Sequence, residues 1–329
     1  MGVSYSNAKK GEIVNMSDFV IIPDASSDLT EELRNRFDIP DFVSGIVYFP
    51  DGHAEPVDLD WKNMTPEEYY NSMKNRSVLY KSATPPLGEI ASVYEKYLSQ
   101  GKDILSISIS SALSSTYNDC VLVARELLQK YPERKIICID SLRYSTSLAL
   151  LVISSALKKA EGCSLEEVAE YTEKEKYRIH QMGTMDDLFF LVKTGRISNF
   201  KALFGSMIGL NVLADFNEAG LSEVIGKFKG KRDAFTAIIE YIRQTIVNPK
   251  EQIIFIAHSN RAEAAKTLAD MVQKEFSPKE LIINDVGMQS GANIGPGLCA
   301  VFYKGEPATT GLAKEKSIMN EISAKIKKK

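Results

Sequence analysis

Apolar and polar positions along this chain alternate between two textures. Short apolar runs recur between longer stretches whose apolar residues fall at helical spacing, which predicts βα units and a largely parallel sheet. Phe19–Pro23 reads as the first strand and leads at once into the polar loop Asp24-Ala25-Ser26-Ser27-Asp28. Further strands are expected over 43–49, over 103–109 where Ile and Ser alternate, and over 135–140. Helical spacing covers 87–100, 117–130 and 144–159, the last so apolar that burial on most sides is expected. Thr65-Pro66-Glu67-Glu68 marks a helix start, with Thr65 as cap, Pro66 at the first helical position and Glu68 reaching back.

The texture changes around Gly162. Ser164-Leu165-Glu166-Glu167 is a second capping box, and the helix it opens is far more charged than its predecessor. Beyond it the pattern predicts a short helix over 186–193 stopped near Gly195, and strands over 208–216 and 221–228 joined by a hairpin turn at 217–220. Helices over 231–246 and 261–276, strands over 252–257, 281–286 and 299–303, and a glycine-rich turn over 291–297 complete it. The fold class expected is therefore α/β with two domains: a three-layer α/β/α domain on a mostly parallel sheet, then an α+β domain on a mixed sheet. The divisions expected are an extension over 1–17, domains over 18–161 and 162–310, and a helical tail over 311–329.

Composition adds limits rather than detail. At 329 residues the chain exceeds the size at which one core usually stops growing, which favours two domains. A net charge of -3 gives no reason to expect nucleic acid as a partner. Cys120, Cys138, Cys163 and Cys299 are scattered, with no CxxC pair, so neither a metal site nor a disulfide framework is expected and a reducing cytoplasm fits. No apolar run is long enough to span a bilayer, the N-terminus lacks the apolar core of a secretory signal, and the terminal lysines suit a solvated helix end, so no stable membrane anchor is expected. Met1-Gly2-Val3-Ser4-Tyr5-Ser6 meets the loose myristoylation pattern, which is too short to carry weight.

Candidate chemistry concentrates in hydroxyls. Ser106-Ile107-Ser108-Ile109-Ser110-Ser111-Ala112-Leu113-Ser114-Ser115-Thr116 runs from a strand end to a helix start, the sheet edge at which open α/β folds bind ligands. Lys81-Ser82-Ala83-Thr84-Pro85-Pro86 is a second hydroxyl-bearing loop, and Gly291-Ala292-Asn293-Ile294-Gly295-Pro296-Gly297 allows close backbone approach. Turn and capping chemistry would explain each of them equally well. There is no P-loop and no GxSxG elbow. His258 is the one plausible general base, which leaves open an enzyme using Ser114 as a nucleophile in acyl or phosphoryl transfer.

Taken together these pieces resemble the DegV family of bacterial fatty-acid-binding proteins over 19–305. The signatures are Asp24-Ala25-Ser26-Ser27-Asp28, Ser82-Ala83-Thr84-Pro85, Ser110-Ser111-Ala112-Leu113-Ser114-Ser115-Thr116-Tyr117, Gly195-Arg196-Ile197-Ser198 and Gly295-Pro296-Gly297, in the family's order. The resemblance implies a long-chain fatty acid bound between two domains as ligand, with no other cofactor. It implies a non-catalytic carrier, some relatives of which present the acid to the catalytic subunit of a fatty acid kinase. Carried over, the carboxylate-binding residues would be Ser82 and Ser114, with Asn293 standing where many members have a histidine. Asparagine can donate a hydrogen bond to a carboxylate but carries no charge. Thr84, Ser111, Ser115 and Gly291 are secondary pocket candidates, and Arg196 is a candidate for partner contact or a structural helix-end residue. A carrier of a different amphipathic ligand is the remaining alternative.

Overall fold

The computed structural model describes residues 18–186, 188–196 and 210–328. In chain order the strands are β1 (Phe19–Pro23), β2 (Ile46–Tyr48), β3 (Ala54–Pro56), β4 (Lys81–Ala83), β5 (Asp103–Ser108), β6 (Ile136–Asp140), β7 (Ile179–Met185), β8 (Asn211–Phe216), β9 (Ser222–Phe228), β10 (Ile253–His258), β11 (Glu280–Asp285) and β12 (Leu298–Lys304). The helices are α1 (Glu31–Arg36), α2 (Pro66–Ser72), α3 (Leu87–Leu98), α4 (Thr116–Lys130), α5 (Thr146–Ala160), α6 (Leu165–Glu175), α7 (Phe189–Thr194), α8 (Lys231–Thr245), α9 (Ala262–Phe276), α10 (Met288–Ile294) and α11 (Ala313–Lys327).

The first sheet is parallel, in the order β1-β5-β6. Its strands alternate cleanly. Val20, Ile22 and Ile104 turn to one face and pack with α3 and α4, whereas Phe19, Ile21, Leu105 and Ile107 turn to the other, toward α5. This is the three-layer arrangement expected. The 43–49 run does not join that sheet as a full strand. Only Ile46–Tyr48 is extended, at the centre of a separate antiparallel sheet β3-β2-β4, and a single bridge between Asp24 and Val43 links it to β1. Ser82 therefore sits in the middle of a short strand, opposite Val47, rather than in a loop.

The second sheet is mixed, in the order β11-β10-β12-β7-β8-β9, with β10 and β11 parallel and the other pairs antiparallel. The turn between β8 and β9 is the expected hairpin, closed by the Gly220 amide donating to the Asn217 carbonyl at 3.0 Å. α8, α9 and α11 cover one face; α11 buries Met319 and Ile322 against it, so the terminal helix is part of the packing. Both capping boxes form, at Thr65 with Glu68 and at Ser164 with Glu167. α6, which follows the division placed at Gly162, packs on α5 and on β5 and β6.

α5 explains its own composition. It lies between the two sheets, touching β1 on one side and β7, β10 and β12 on the other, and Thr146 through Ala156 are all buried. One apolar cluster consequently runs from Phe19 and Leu105 through Leu148, Leu151 and Ile153 to Phe255, Ala300 and Phe302. The glycine-rich segment near the end is the clearest departure from expectation. Met288–Ile294 is a helix, and only Gly295 and beyond form the turn, with Gly295 at φ 76 and ψ -178. Met288, Gln289, Ser290, Ala292 and Ile294 are buried from several sides, so tertiary packing outweighs the helix cost of Gly291.

Candidate functional site

A cavity of about 410 Å³ opens where α10, the end of β4, the loop after β5 and the end of α7 meet. Its size is in the range of small-molecule sites, roughly 300–1,000 Å³. The short strand β4 and the residue after it contribute Ser82, Ala83 and Thr84, and the loop between β5 and α4 contributes Ile109, Leu113, Ser114 and Ser115. Gln289, Ser290, Asn293 and Ile294 come from successive turns of α10. Leu191 and Arg196, either side of the α7 terminus, close the outer wall, and Ser26 and Tyr144 line it from the first domain.

Three residues far apart in sequence converge here. Asn293 Nδ2 donates to Ser82 Oγ at 2.9 Å and to the Gln289 carbonyl at 3.2 Å, which fixes the amide with its nitrogen toward β4. Ser114 Oγ lies 2.9 Å from Thr116 Oγ1 and accepts from the Thr116 amide at 3.3 Å, at the N-terminus of α4. That helix end carries the positive pole of a fifteen-residue dipole and favours an anion. Arg196 is the one cationic side chain among the described residues lining the cavity, and none of them is acidic. Its guanidinium also donates to the Thr194 carbonyl.

The remaining candidates divide. Thr84 and Ser115 line the cavity, although Ser115 is exposed and spends its hydroxyl on Asp119 at 2.9 Å. Ser111 does not line it: both its amide and its hydroxyl donate to Asp140 at the end of β6, which turns it outward. Gly291 does not line it either. It faces Tyr70, and a Cβ there would collide with the Tyr70 hydroxyl. Ile197 and Ser198 of the Gly-Arg-Ile-Ser run, and the Met1–Ser6 segment, lie outside the described residues.

The two acids of the loop after β1 build the site without lining it. Asp24 is buried and accepts from the Ser26 amide at 2.7 Å and the Ile109 amide at 2.6 Å, which sets the course of the loop after β5. Burial raises its pKa above the ordinary carboxylate value. Asp28 accepts from Ser145 at the head of α5 and from Ser290 on α10, tying both helices to the first sheet's edge. Burial lifts its pKa to about 7, against the opposing pull of those hydrogen bonds.

His258 does not join Ser114. It ends β10 beside Asp285, with Nδ1 3.2 Å from the carboxylate, and it does not line the cavity. Burial pushes its pKa below the usual histidine value, opposed by Asp285. Among the described residues no group of three His, Cys, Asp or Glu side chains could hold a metal, and no helix is long and apolar enough to cross a membrane. Sequence reasoning missed Gln289, Ser290, Ser26 and Tyr144 as lining residues. The i, i+4 spacing of Gln289 and Asn293 was the available signal, and it has meaning only once the segment is a helix.

Comparison with known proteins agrees with this architecture. A family model described as an uncharacterised protein of the DegV family matches residues 18–306. A DegV domain-containing protein of Clostridium perfringens is 32% identical over 291 residues, covering 88% of this chain and 99% of the relative. Another, from Clostridium acetobutylicum, is 29% identical and covers 86% of this chain and 96% of its own. Among solved structures, a DegV family protein from Thermus thermophilus described for fatty acid binding superposes with a TM-score of 0.78 at 24% identity, over 87% of this chain and 99% of that one. A stearic acid-binding protein from Eubacterium ventriosum superposes with a TM-score of 0.76 at 20% identity, over 87% and 98%.

Proposed function

This chain belongs to the DegV family, and on that premise we propose that it is a fatty-acid-binding carrier whose ligand carboxylate sits among Ser82, Ser114 and Asn293. The observation that carries the reading is the convergence of those three residues, from β4, the β5–α4 loop and α10, on one cavity free of acidic side chains among its described lining residues. Hydroxyls and a helix N-terminus can satisfy a carboxylate there, and leaving it unpaired would cost several kcal/mol. The solved relatives described for fatty acid binding share the fold and support the same reading.

Apolar burial supplies the affinity. Each buried methylene contributes about 0.8 kcal/mol. A chain of about 14 methylenes therefore offers on the order of 11 kcal/mol before ordering costs. The protein performs no chemistry on the acid in this reading. It presents the carboxylate, past the rim formed by Arg196 and the exposed Ser115, to a partner kinase in the cytoplasm that would phosphorylate it to an acyl phosphate.

The test is mass spectrometry of the full chain purified from a bacterial host, under native conditions and after solvent extraction. A stoichiometric long-chain fatty acid is expected, exchangeable with added palmitate or oleate. A chain that carries no acid and takes up neither would overturn the proposal.

A further inference from the structure

Two buried carboxylates stand directly behind a cavity suited to an anion. Asp24 and Asp28 are 1% and 3% exposed, and neither lines the cavity. Each touches residues that do: Asp24 accepts from the amides of Ser26 and Ile109, and Asp28 accepts from the Ser290 hydroxyl at 3.0 Å. Among the described residues neither carboxylate pairs with a cation. The groups around Asp28 supply no compensating charge. α10 carries only neutral side chains, and Ser145 at the head of α5 offers a hydroxyl. β11 contributes the neutral Asn284, and its Asp285 lies beside His258. Tyr69 and Tyr70 of α2 and Tyr144 ahead of α5 are held neutral by burial. Arg34 of α1 bonds the Leu29 carbonyl, and its charge pairs with Asp60 at 3.7 Å. Asp24 adds a charge of the same sign.

A ligand carboxylate brings a third negative charge to this place. Like charges about 7 Å apart inside a protein change each other's proton affinity about tenfold or more, so the acid enters more readily with a proton than without one. Asp28 is equipped to hold that proton. Asp24 is fixed by two backbone amides, which only donate, whereas the hydroxyls on Asp28 both donate and accept. Once protonated, Asp28 can donate to Ser290 Oγ, and the Ser290 hydroxyl can turn to the Ser26 carbonyl at 3.5 Å. We propose that the carrier binds its acid together with a proton, held between Asp28 and Ser290. The acid itself stays ionised among Ser82, Ser114 and Asn293. The proton comes from solvent on loading and returns to it on release. This inference rests on the acyl-binding reading and adds a second, smaller ligand to it.

Asp28 titrates at about 7 in the empty protein, and a proton held about tenfold tighter in the complex moves that to about 8. Affinity for the ionised acid is therefore highest below this range and about tenfold lower above it. The experiment is calorimetry of palmitate binding to the delipidated full chain at pH 7.5, in buffers of different ionisation enthalpy. Uptake of about half a proton is expected, with affinity about tenfold weaker at pH 9 than at pH 6. Carbon-13 NMR should show the carboxyl of labelled palmitate ionised when bound, and one labelled aspartate carboxyl of the protein protonating on loading. Asp28→Asn is expected to bind palmitate with no proton uptake and with one affinity across the range. If palmitate binds without proton uptake, or its own carboxyl carries the proton, the inference fails and the carrier reading stands. Uptake that survives Asp28→Asn also overturns it. If palmitate does not bind, both fail. The labelled wild-type spectra decide should the variant not fold.

Discussion

Asn293 Nδ2 donates to Ser82 Oγ at 2.9 Å, a contact between residues 211 positions apart that joins α10 to the small antiparallel sheet across the mouth of the cavity. A ligand carboxylate at this point would accept from both groups, so the pair acts as one unit. Ser82→Ala and Asn293→Ala are each expected to weaken palmitate binding about tenfold, and the double variant by less than the product of the two. Displacement of a fluorescent acyl probe gives all four corners of that cycle. A strictly multiplicative result would show that the two residues do not share a ligand.

Asp28 gives the fold a pH dependence of definite sign. Its folded pKa is about 7 against an ordinary 3.8, so between those values folding takes up a proton. Stability from this group is present below about pH 4 and is lost as pH rises through 7, on the order of 4 kcal/mol in all. Urea denaturation from pH 4 to pH 8 is expected to show the decline. Asp28→Asn should flatten it, since the amide carries no titrating charge and keeps one accepting oxygen.

Gly295 stands at φ 76 and ψ -178, a backbone region open essentially to glycine alone, and any Cβ there would enter the Phe190 ring. Gly295→Ala is expected to cost about 2 kcal/mol or more in thermal or chemical unfolding. Because Phe190 adjoins Leu191 on α7, the same change should also weaken acyl binding. A variant of unaltered stability would mean that the turn relaxes at no cost.

How much of this could be read from the chain depends on where each residue's partner lies. Thr65 with Glu68 and Ser164 with Glu167 were legible because both halves of each capping box sit within four residues. The alternation of Ile and Ser along β5 was legible because period two needs no partner at all. Ser111 and Ser114 look alike in sequence, and what separates them is Asp140, delivered by the neighbouring strand β6 to Ser111 alone. The helix over Met288–Ile294 was hidden for a similar reason. Gly291 and Gly295 signal a turn locally, while the burial that makes Met288–Ile294 helical comes from α2, α7 and β4 packed around it. Gln289 followed that error: with no helix expected, nothing placed its side chain beside Asn293.

Leu151 lies at the centre of α5 with no exposed surface. Leu151→Ala is expected to lose about 2–5 kcal/mol. The cluster it belongs to includes β5 on one side and β10 and β12 on the other, so both halves should be destabilised together. Tyrosine fluorescence and far-ultraviolet circular dichroism should then report one coincident urea transition, shifted to lower denaturant. Two separated transitions would show that the sheets melt independently.

The position of α5 also governs how the chain comes into being. Its last residue is Ala160, yet β12, which covers its second face, ends only at Lys304. At bacterial rates of synthesis the intervening chain takes roughly 7–30 s to emerge. Until then a fifteen-residue apolar helix has its roof and, from β7, only part of its floor. A chain cut after α5 would leave that face bare and is expected to be sticky rather than a free-standing half.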